Sequence, residues 1–315
     1  MLTTAQLVRA LLLVCAVVAV YVSALHIFIQ SRRLRARGDS PSLMFMRGRR
    51  CVYALALLGL LCVAYAHWLE PRWLRTTQVH LSTMSLPSGT SVRIVHLSDL
   101  HSEATPLLEP RLPALIRAQH PDLIVFTGDM ANNSMGIPTW ENLLHELAQI
   151  APVYAVRGNW DYNPWNSVDV YRRAGVKLLD AQTATLNMRG SLINIAGVGA
   201  GETDESIRVL STVAPEGFTI FMDHFPDEVE RVASQGRANL YLAGHTHGGQ
   251  IALPFYGALI TLSRFDKKYE SGLHRVGNTY LYVSRGIGME GGPAPRVRFA
   301  APPELVIIDV AGTKP

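Results

Sequence analysis

"VRIVHLSDLH", residues 92–101, joins an apolar run of strand length to a turn carrying Asp99 and His101. A run that is apolar at nearly every position is buried on both faces, so its sheet must be covered by other layers. The same join recurs along the chain. "DLIVFTG" (122–128) runs into Asp129, "PVYAVRG" (152–158) into Asn159, "FTIFMD" (218–223) into His224, and "NLYLAG" (239–244) into His245 and His247. "SLINIAG" (191–197), "TYLYVSRG" (279–286) and "ELVIIDV" (304–310) are further predicted strands. Between them "LEPRLPALIRAQH" (108–120), "PTWENLLHELAQI" (138–150), "NPWNSVDVYRRAG" (163–175) and "PDEVERVASQG" (226–236) predict helices, several opening at Pro or a cap and closing near Gly. The alternation predicts an α/β domain. Polar residues gathered where strands end predict one shared ligand site, because ligands of open α/β sheets bind beyond the carboxyl ends of strands.

Two upstream stretches are of another kind. "ALLLVCAVVAVYVSALHIFI" (10–29) and "CVYALALLGLLCVAYAHWL" (51–69) carry no formal charge. As helices each is about 30 Å long, the hydrocarbon thickness of a bilayer. They predict a two-helix transmembrane hairpin in residues 1–75, ahead of a catalytic domain in residues 76–315. The connector, 31–50, holds seven Arg and one Asp. By the positive-inside rule it is cytoplasmic, which puts the domain outside a cell membrane, the inner one where there are two. Tyr65, Trp68 and Trp73 fit an aromatic belt at the bilayer surface. Other readings exist. The first stretch also has the form of a signal peptide with "VSA" (22–24) as its cleavage site. A connector touching anionic lipid, or a hairpin lying in the interface, leaves the domain cytoplasmic.

Charge follows this division. Of 29 Lys and Arg against 25 Asp and Glu, ten Arg and two acids fall in residues 1–75, leaving 19 bases and 23 acids downstream. Those totals give no basic groove for a nucleic-acid backbone, so none is expected as partner. Cys15, Cys51 and Cys62 all lie in the apolar stretches, so no disulfide framework or Cys-based zinc site is expected in the downstream domain.

The strand-end set comprises Asp99, His101, Asp129, Asn159, His224, His245 and His247. Two carboxylates, one amide oxygen and four imidazoles are too many for one tetrahedral zinc and too few for two full octahedra. Two metals sharing a carboxylate fit best. In Asp-x-His and His-x-His the side chains stand two apart and project to one side of an extended strand end.

Read in order, Asp-x-His, Gly-Asp, Gly-Asn-x-Asp, His and Gly-His-x-His resemble the signature of the calcineurin-like metallophosphoesterases. "AGHTHGGQIALP" (243–254) and "VSRGIG" (283–288) resemble its membrane-linked bacterial branch. The resemblance covers roughly residues 92–310. It implies a two-sheet α/β/β/α sandwich and a dinuclear centre. Asp99, His101 and His247 would hold one metal, Asn159, His224 and His245 the other, and Asp129 would bridge them. Asn159, Asp161 and His224 are the expected catalytic side chains. Two cations about 3.5–4 Å apart lower the pKa of a water to give hydroxide at neutral pH and clamp phosphoryl oxygens, so phosphoester hydrolysis is the expected reaction. Nitrogen-rich mixed ligands favour Mn, Fe, Zn or Co over Mg or Ca.

One residue departs from the family pattern. Members usually carry His after the Asn, placed to orient phosphate or protonate the leaving group; this chain has Trp160, with Asp161 retained. Indole donates one hydrogen bond but delivers no proton. Trp160 then reads as a packing change, as the mark of a pseudoenzyme, or as a sign of a leaving group stable as an anion. Enzymes of this family that cleave the pyrophosphate of UDP-2,3-diacylglucosamine in lipid A synthesis also lack that His. The expected function is hydrolysis of a lipid-linked or envelope phosphodiester or pyrophosphate at the membrane. UDP-2,3-diacylglucosamine hydrolysis is the first alternative, and a non-catalytic metal-binding membrane protein the second. A nuclease would need a basic face beside the metals. Arg285, Arg296 and Arg298 read as contacts for an anionic substrate or as a solvated rim, and His96 as an ordinary strand residue.

Overall fold

The computed structural model describes residues 3–163, 169–291 and 295–314. Helices α1 (Thr4–Arg37) and α2 (Leu43–Ala64) pack as a hairpin, with the Tyr21 hydroxyl donating to the Ala56 carbonyl at 3.0 Å. Gly38 caps α1 in the left-handed region, and the Ser42 hydroxyl caps α2 by accepting from Phe45 N. The Arg-rich connector is thus mostly helix: only residues 38–42 turn. Arg, Leu and Met are good helix formers, so each helix extends beyond its apolar stretch into the connector.

Among the described residues the strands are, in order, β1 (Arg75–Thr83), β2 (Ser91–Leu97), β3 (Leu123–Phe126), β4 (Val153–Ala155), β5 (Lys177–Leu178), β6 (Gln182–Met188), β7 (Ser191–Gly197), β8 (Phe218–Met222), β9 (Leu240–Ala243), β10 (Ala252–Leu253), β11 (Gly257–Ala258), β12 (Gly272–Val276), β13 (Thr279–Val283) and β14 (Glu304–Gly312). The shorter helices are α3 (Leu112–Arg117), α4 (Ile137–Ala148), α5 (Asp169–Arg173), α6 (Ser206–Ser211) and α7 (Val229–Ala233). One sheet has the order β1-β14-β2-β3-β4-β5 and the other β12-β13-β9-β8-β7-β6, while β10 and β11 form a small hairpin. Inside each sheet β2-β3-β4-β5 and β13-β9-β8-β7 are parallel. Parallel strands need crossovers, and these carry the helices to the outer faces.

Three apolar layers result. Val92, Ile94, Val125, Ile195, Ile220 and Leu242 fill the space between the sheets. Trp140, Leu144 and Ile116 cover the first sheet from α3 and α4, and Val209, Leu210, Val229 and Val232 cover the second from α6 and α7. All four side chains of β3 are fully buried, each contributing about 1.5–3 kcal/mol relative to exposure.

The sequence reading missed the two-residue strands β5, β10 and β11, too short to form a pattern, and the longer strands β1, β6 and β12. β6 and β12 are the edges of one sheet and β1 an edge of the other, so their residues alternate between exposed and covered positions and form no apolar run. α6 was also missed. "PVYAVRG" yields only three strand residues, because the chain leaves the ladder at Val156 to enter the site. Of the predicted helix 163–175, residues 164–168 lie outside the described residues, and α5 occupies Asp169–Arg173.

Candidate metal centre

The polar strand ends converge. Asp99 and His101 follow β2, Asp129 follows β3, Asn159 follows β4, His224 follows β8, and His245 and His247 follow β9. Five of these residues, Asp99, His101, Asp129, His245 and His247, have φ between 41° and 68°. Non-glycine residues seldom adopt the left-handed region, and such strain clusters where the surroundings hold a site in shape. Glycine makes the close approaches possible. A Cβ on Gly158 would lie 2.1 Å from Asp129 Oδ1, and one on Gly244 would lie 1.9 Å from Ser98 Oγ and 2.3 Å from Asp99 Oδ2.

Ligand atoms of Asp99, His101, Asp129 and His247 all lie within 4.8 Å of one another, and all four residues are buried. The Nε2 atoms of His101 and His247 are 3.2 Å apart. Asp99 Oδ1 is 3.4 Å from His247 Nε2, and Asp129 Oδ2 is 3.5 Å from His101 Nε2. Two imidazole nitrogens at that separation share at most one proton, so lone pairs and carboxylate charge point at one another. That donor set fits a cation.

The other half is more open. His224 Nδ1 donates to the Thr127 carbonyl at 2.7 Å, which turns Nε2 toward Asn159 Oδ1 at 3.0 Å and Asp129 Oδ2 at 3.3 Å. The His245 ring lies 5.0 Å from that of His224, and its backbone N–H donates to Asp99. Asn159 is exposed and His245 half-buried.

Burial pushes Asp99 up to about 7, with the Asp129 charge adding to it. Burial acts the same way on Asp129, but His224 and His101 outweigh it and hold this carboxyl at about 2. Burial lowers His101 to about 4 and His245 to about 3, and His247 falls well below its ordinary value, so these imidazoles are neutral. His224 opposes that trend: Asp129 and Asp99 overcome its burial and hold it up at about 10. A proton on His224 Nε2 thus sits where a cation would bind.

Asp161, expected among the catalytic side chains, lies beneath the cluster. Its carboxylate accepts from the backbone N–H groups of Asp129 at 2.8 Å, Met130 at 2.9 Å and Gly158 at 2.8 Å, which ties the Asp129 turn to the Asn159 turn. The Trp160 backbone N–H donates to Asp129 Oδ1 at 2.8 Å, and its indole N–H to Glu290 Oε1 at 3.3 Å. Glu290 stands beside the site, its carboxyl raised chiefly by burial. The sequence reading missed Glu290, because a lone Glu in a Gly-rich loop carries no spacing signal. The three arginines are engaged elsewhere. Arg298 is fully buried and donates to the carbonyls of Arg285, Gly288 and Ala301; Arg285 pairs with Glu304 and Arg296 with Glu103. His96 is buried in β2, 2.8 Å from the Thr127 hydroxyl.

A covered two-sheet sandwich with carboxylates and imidazoles converging at its strand ends defines a metallophosphoesterase. Residues 92–249 match the calcineurin-like phosphoesterase family. The chain is 34% identical over 266 residues to the uncharacterized metallophosphoesterase YkuE of Bacillus subtilis, covering 79% of this chain and 90% of that one. It is 29% identical over 258 residues to phosphodiesterase YaeI of Escherichia coli, covering 78% and 92%. It is 26% identical over 313 residues to the UDP-2,3-diacylglucosamine pyrophosphatase LpxG of Chlamydia trachomatis, covering 78% and 91%. The chain belongs to the calcineurin-like phosphoesterase family and is a metal-dependent phosphoester hydrolase.

Proposed function

We propose that the chain is a membrane-tethered phosphoesterase holding two divalent cations and hydrolysing a phosphodiester or pyrophosphate in a lipid-linked or envelope-derived substrate. The observation that carries this reading is the convergence of lone pairs from Asp99, His101, Asp129 and His247, continued by His224 and Asn159 across Asp129. Asp99, His101 and His247 would hold one cation, Asn159, His224 and His245 the other, with Asp129 serving both. Bound there, the cations supply Lewis acidity and an activated water. The chain's own residues do the rest. Asp161 positions Asp129 through its backbone N–H, and Asn159 stands on the exposed side where a substrate enters. Trp160 delivers no proton, which favours a leaving group stable as an anion, such as phosphate.

Two apolar helices, almost wholly uncovered by protein along their apolar lengths, support the tether in residues 1–75. The Arg-rich end of the hairpin lies at the 38–42 turn, away from the domain, and supports an extracytoplasmic site in residues 76–315 of a multi-pass inner-membrane protein. UDP-2,3-diacylglucosamine hydrolysis is the second reading, supported by Trp160 and by the likeness to LpxG.

The purified full chain in detergent with Mn²⁺ is expected to hydrolyse bis-p-nitrophenyl phosphate, and Asp129→Ala to reduce kcat/KM more than about 100-fold, beyond the cost of losing an outer partner of a metal ligand. No turnover with Mn²⁺, Fe²⁺, Zn²⁺ or Co²⁺, despite two bound ions, would make the chain a non-catalytic metal-binding protein. Alkaline phosphatase fused after Pro315 is expected to be active; fluorescence from a reporter that matures only in the cytoplasm would overturn the topology.

A further inference from the structure

Helix α1 is more than an anchor. Its first turns dock on the domain: Gln6 is fully buried and its amide donates to Thr261 Oγ1 at 3.2 Å, while Arg9 pairs with Asp266 at 2.6 Å. The segment that follows α2 docks on the same side. Glu70 accepts from the backbone N–H groups of Ala300 and Ala301, and Tyr65 packs edge-on against Phe299 at 6.0 Å. Both ends of the hairpin therefore hold the face built from residues 250–266 and 298–301.

A cavity of about 400 Å³ lies between α1 and that face, within the range that holds small ligands. Ala10, Leu13 and Val14 of α1 line it together with Leu259, Ile260 and Leu262 of the domain. His245, His247 and Glu290 also line it, so the cavity adjoins the strand-end cluster. None of the described residues lining it is Lys or Arg, so a soluble polyanion finds no fixed cation there. Val14 is 57% exposed and continues into the outward apolar surface of α1, which carries Leu11, Leu12, Val17 and Val18. Beside this lining the β10–β11 hairpin presents Phe255 fully exposed and Tyr256 half-exposed, aromatic residues of the kind that sit at a bilayer surface.

Resting on the membrane-tethered phosphoesterase reading, we infer that this cavity binds an alkyl or acyl chain of the substrate. The substrate is an amphiphile taken from the bilayer, its phosphate at the strand-end cluster and its chain between α1 and Leu259–Leu262. The part of the lining shared with the strand-end cluster matches a phosphate held through cations, and the apolar remainder matches hydrocarbon. Through Val14 the lining is continuous with the exposed apolar surface of α1 that the membrane reading places in lipid. Specificity then comes from the chain as much as from the headgroup, and the hairpin is part of the substrate site.

The test uses the full chain in phosphatidylethanolamine–phosphatidylglycerol nanodiscs and dodecyl phosphate carrying a terminal diazirine. Photolabelling is expected to concentrate on residues 10–14 and 259–262, and Leu13→Trp or Ala10→Phe, on a helix face that leaves the domain core untouched, to reduce it at least about fivefold. Labelling spread evenly over the outward faces of α1 and α2, or unchanged by both substitutions, overturns the inference. A kinetic arm compares methyl and longer alkyl p-nitrophenyl phosphates. kcat/KM is expected to rise about fourfold per methylene over the first few carbons and to flatten in Leu13→Trp; equal values for methyl and dodecyl arms overturn it. Concentrated labelling without turnover of any p-nitrophenyl ester would support the chain site and defeat the hydrolase reading, so the two failures are distinct.

Discussion

The two halves of the strand-end cluster are built differently. Asp99, His101, Asp129 and His247 are buried, and these four residues with their neighbour His245 hold positive φ in the three turns that follow β2, β3 and β9. Asn159 is exposed, His245 is half-buried, and His224 supplies the one fully buried side chain on that side. The difference has a physical reading. On the two-cation proposal, the closed carboxylate-rich half would hold an ion by charge in a low-dielectric setting, whereas the open half with its neutral amide would exchange a ligand for water or substrate.

The largest expected effect follows from that asymmetry. Asp99→Asn removes a buried negative charge and is expected to cost more than about 100-fold in kcat/KM at any Mn²⁺ concentration. Asn159→Ala is expected to raise the Mn²⁺ needed for half-maximal activity, with most of the rate restored at excess metal. Equal, unrescued losses in both variants, measured across a metal titration, would erase the distinction between the halves.

A smaller effect concerns protons. His224 is held up at about 10 before metal binds, so below that pH a cation must displace its proton. Affinity of the open half therefore rises with pH, by up to about tenfold per unit for one released proton, and falls as the solution is acidified. Calorimetry in two buffers of different ionisation enthalpy at pH 7 is expected to show proton release on metal uptake. Heat that is independent of buffer would sink this account.

The smallest effect is expected at Trp160. Trp160→His should leave bis-p-nitrophenyl phosphate hydrolysis within about twofold and raise turnover of an alkyl leaving group several-fold, below the about 10²–10⁴ of an optimised general acid. No rise on the alkyl ester would make Trp160 a packing residue beside His101, whose ring it meets edge-on at 5.6 Å.

The site was more legible in the sequence than the edges of the fold. Asp99, His101, Asp129, His224, His245 and His247 each follow a run buried on both faces, so apolar run and polar stop read together within a few residues. β1, β6 and β12 gave no such signal because solvent faces half of each strand. Arg298 read as a substrate contact or a rim residue because a charge in sequence carries no mark of burial; in the fold its guanidinium is spent on three carbonyls. Asp161 showed its motif but not its work, since its hydrogen bonds reach the backbone of Asp129 and Met130, about thirty residues away along the chain.

Local pattern was sufficient for the α/β class, the hairpin's apolar stretches and the inventory of polar side chains gathered at the strand ends, because burial periodicity and residue chemistry are short-range properties of a chain. The pairing of His101 with His247, the seat of Asp161 and the wall that α1 lends to the cavity arose only on folding. They are contacts between segments dozens to hundreds of residues apart, and strand order and helix docking, not spacing along the chain, bring such segments together.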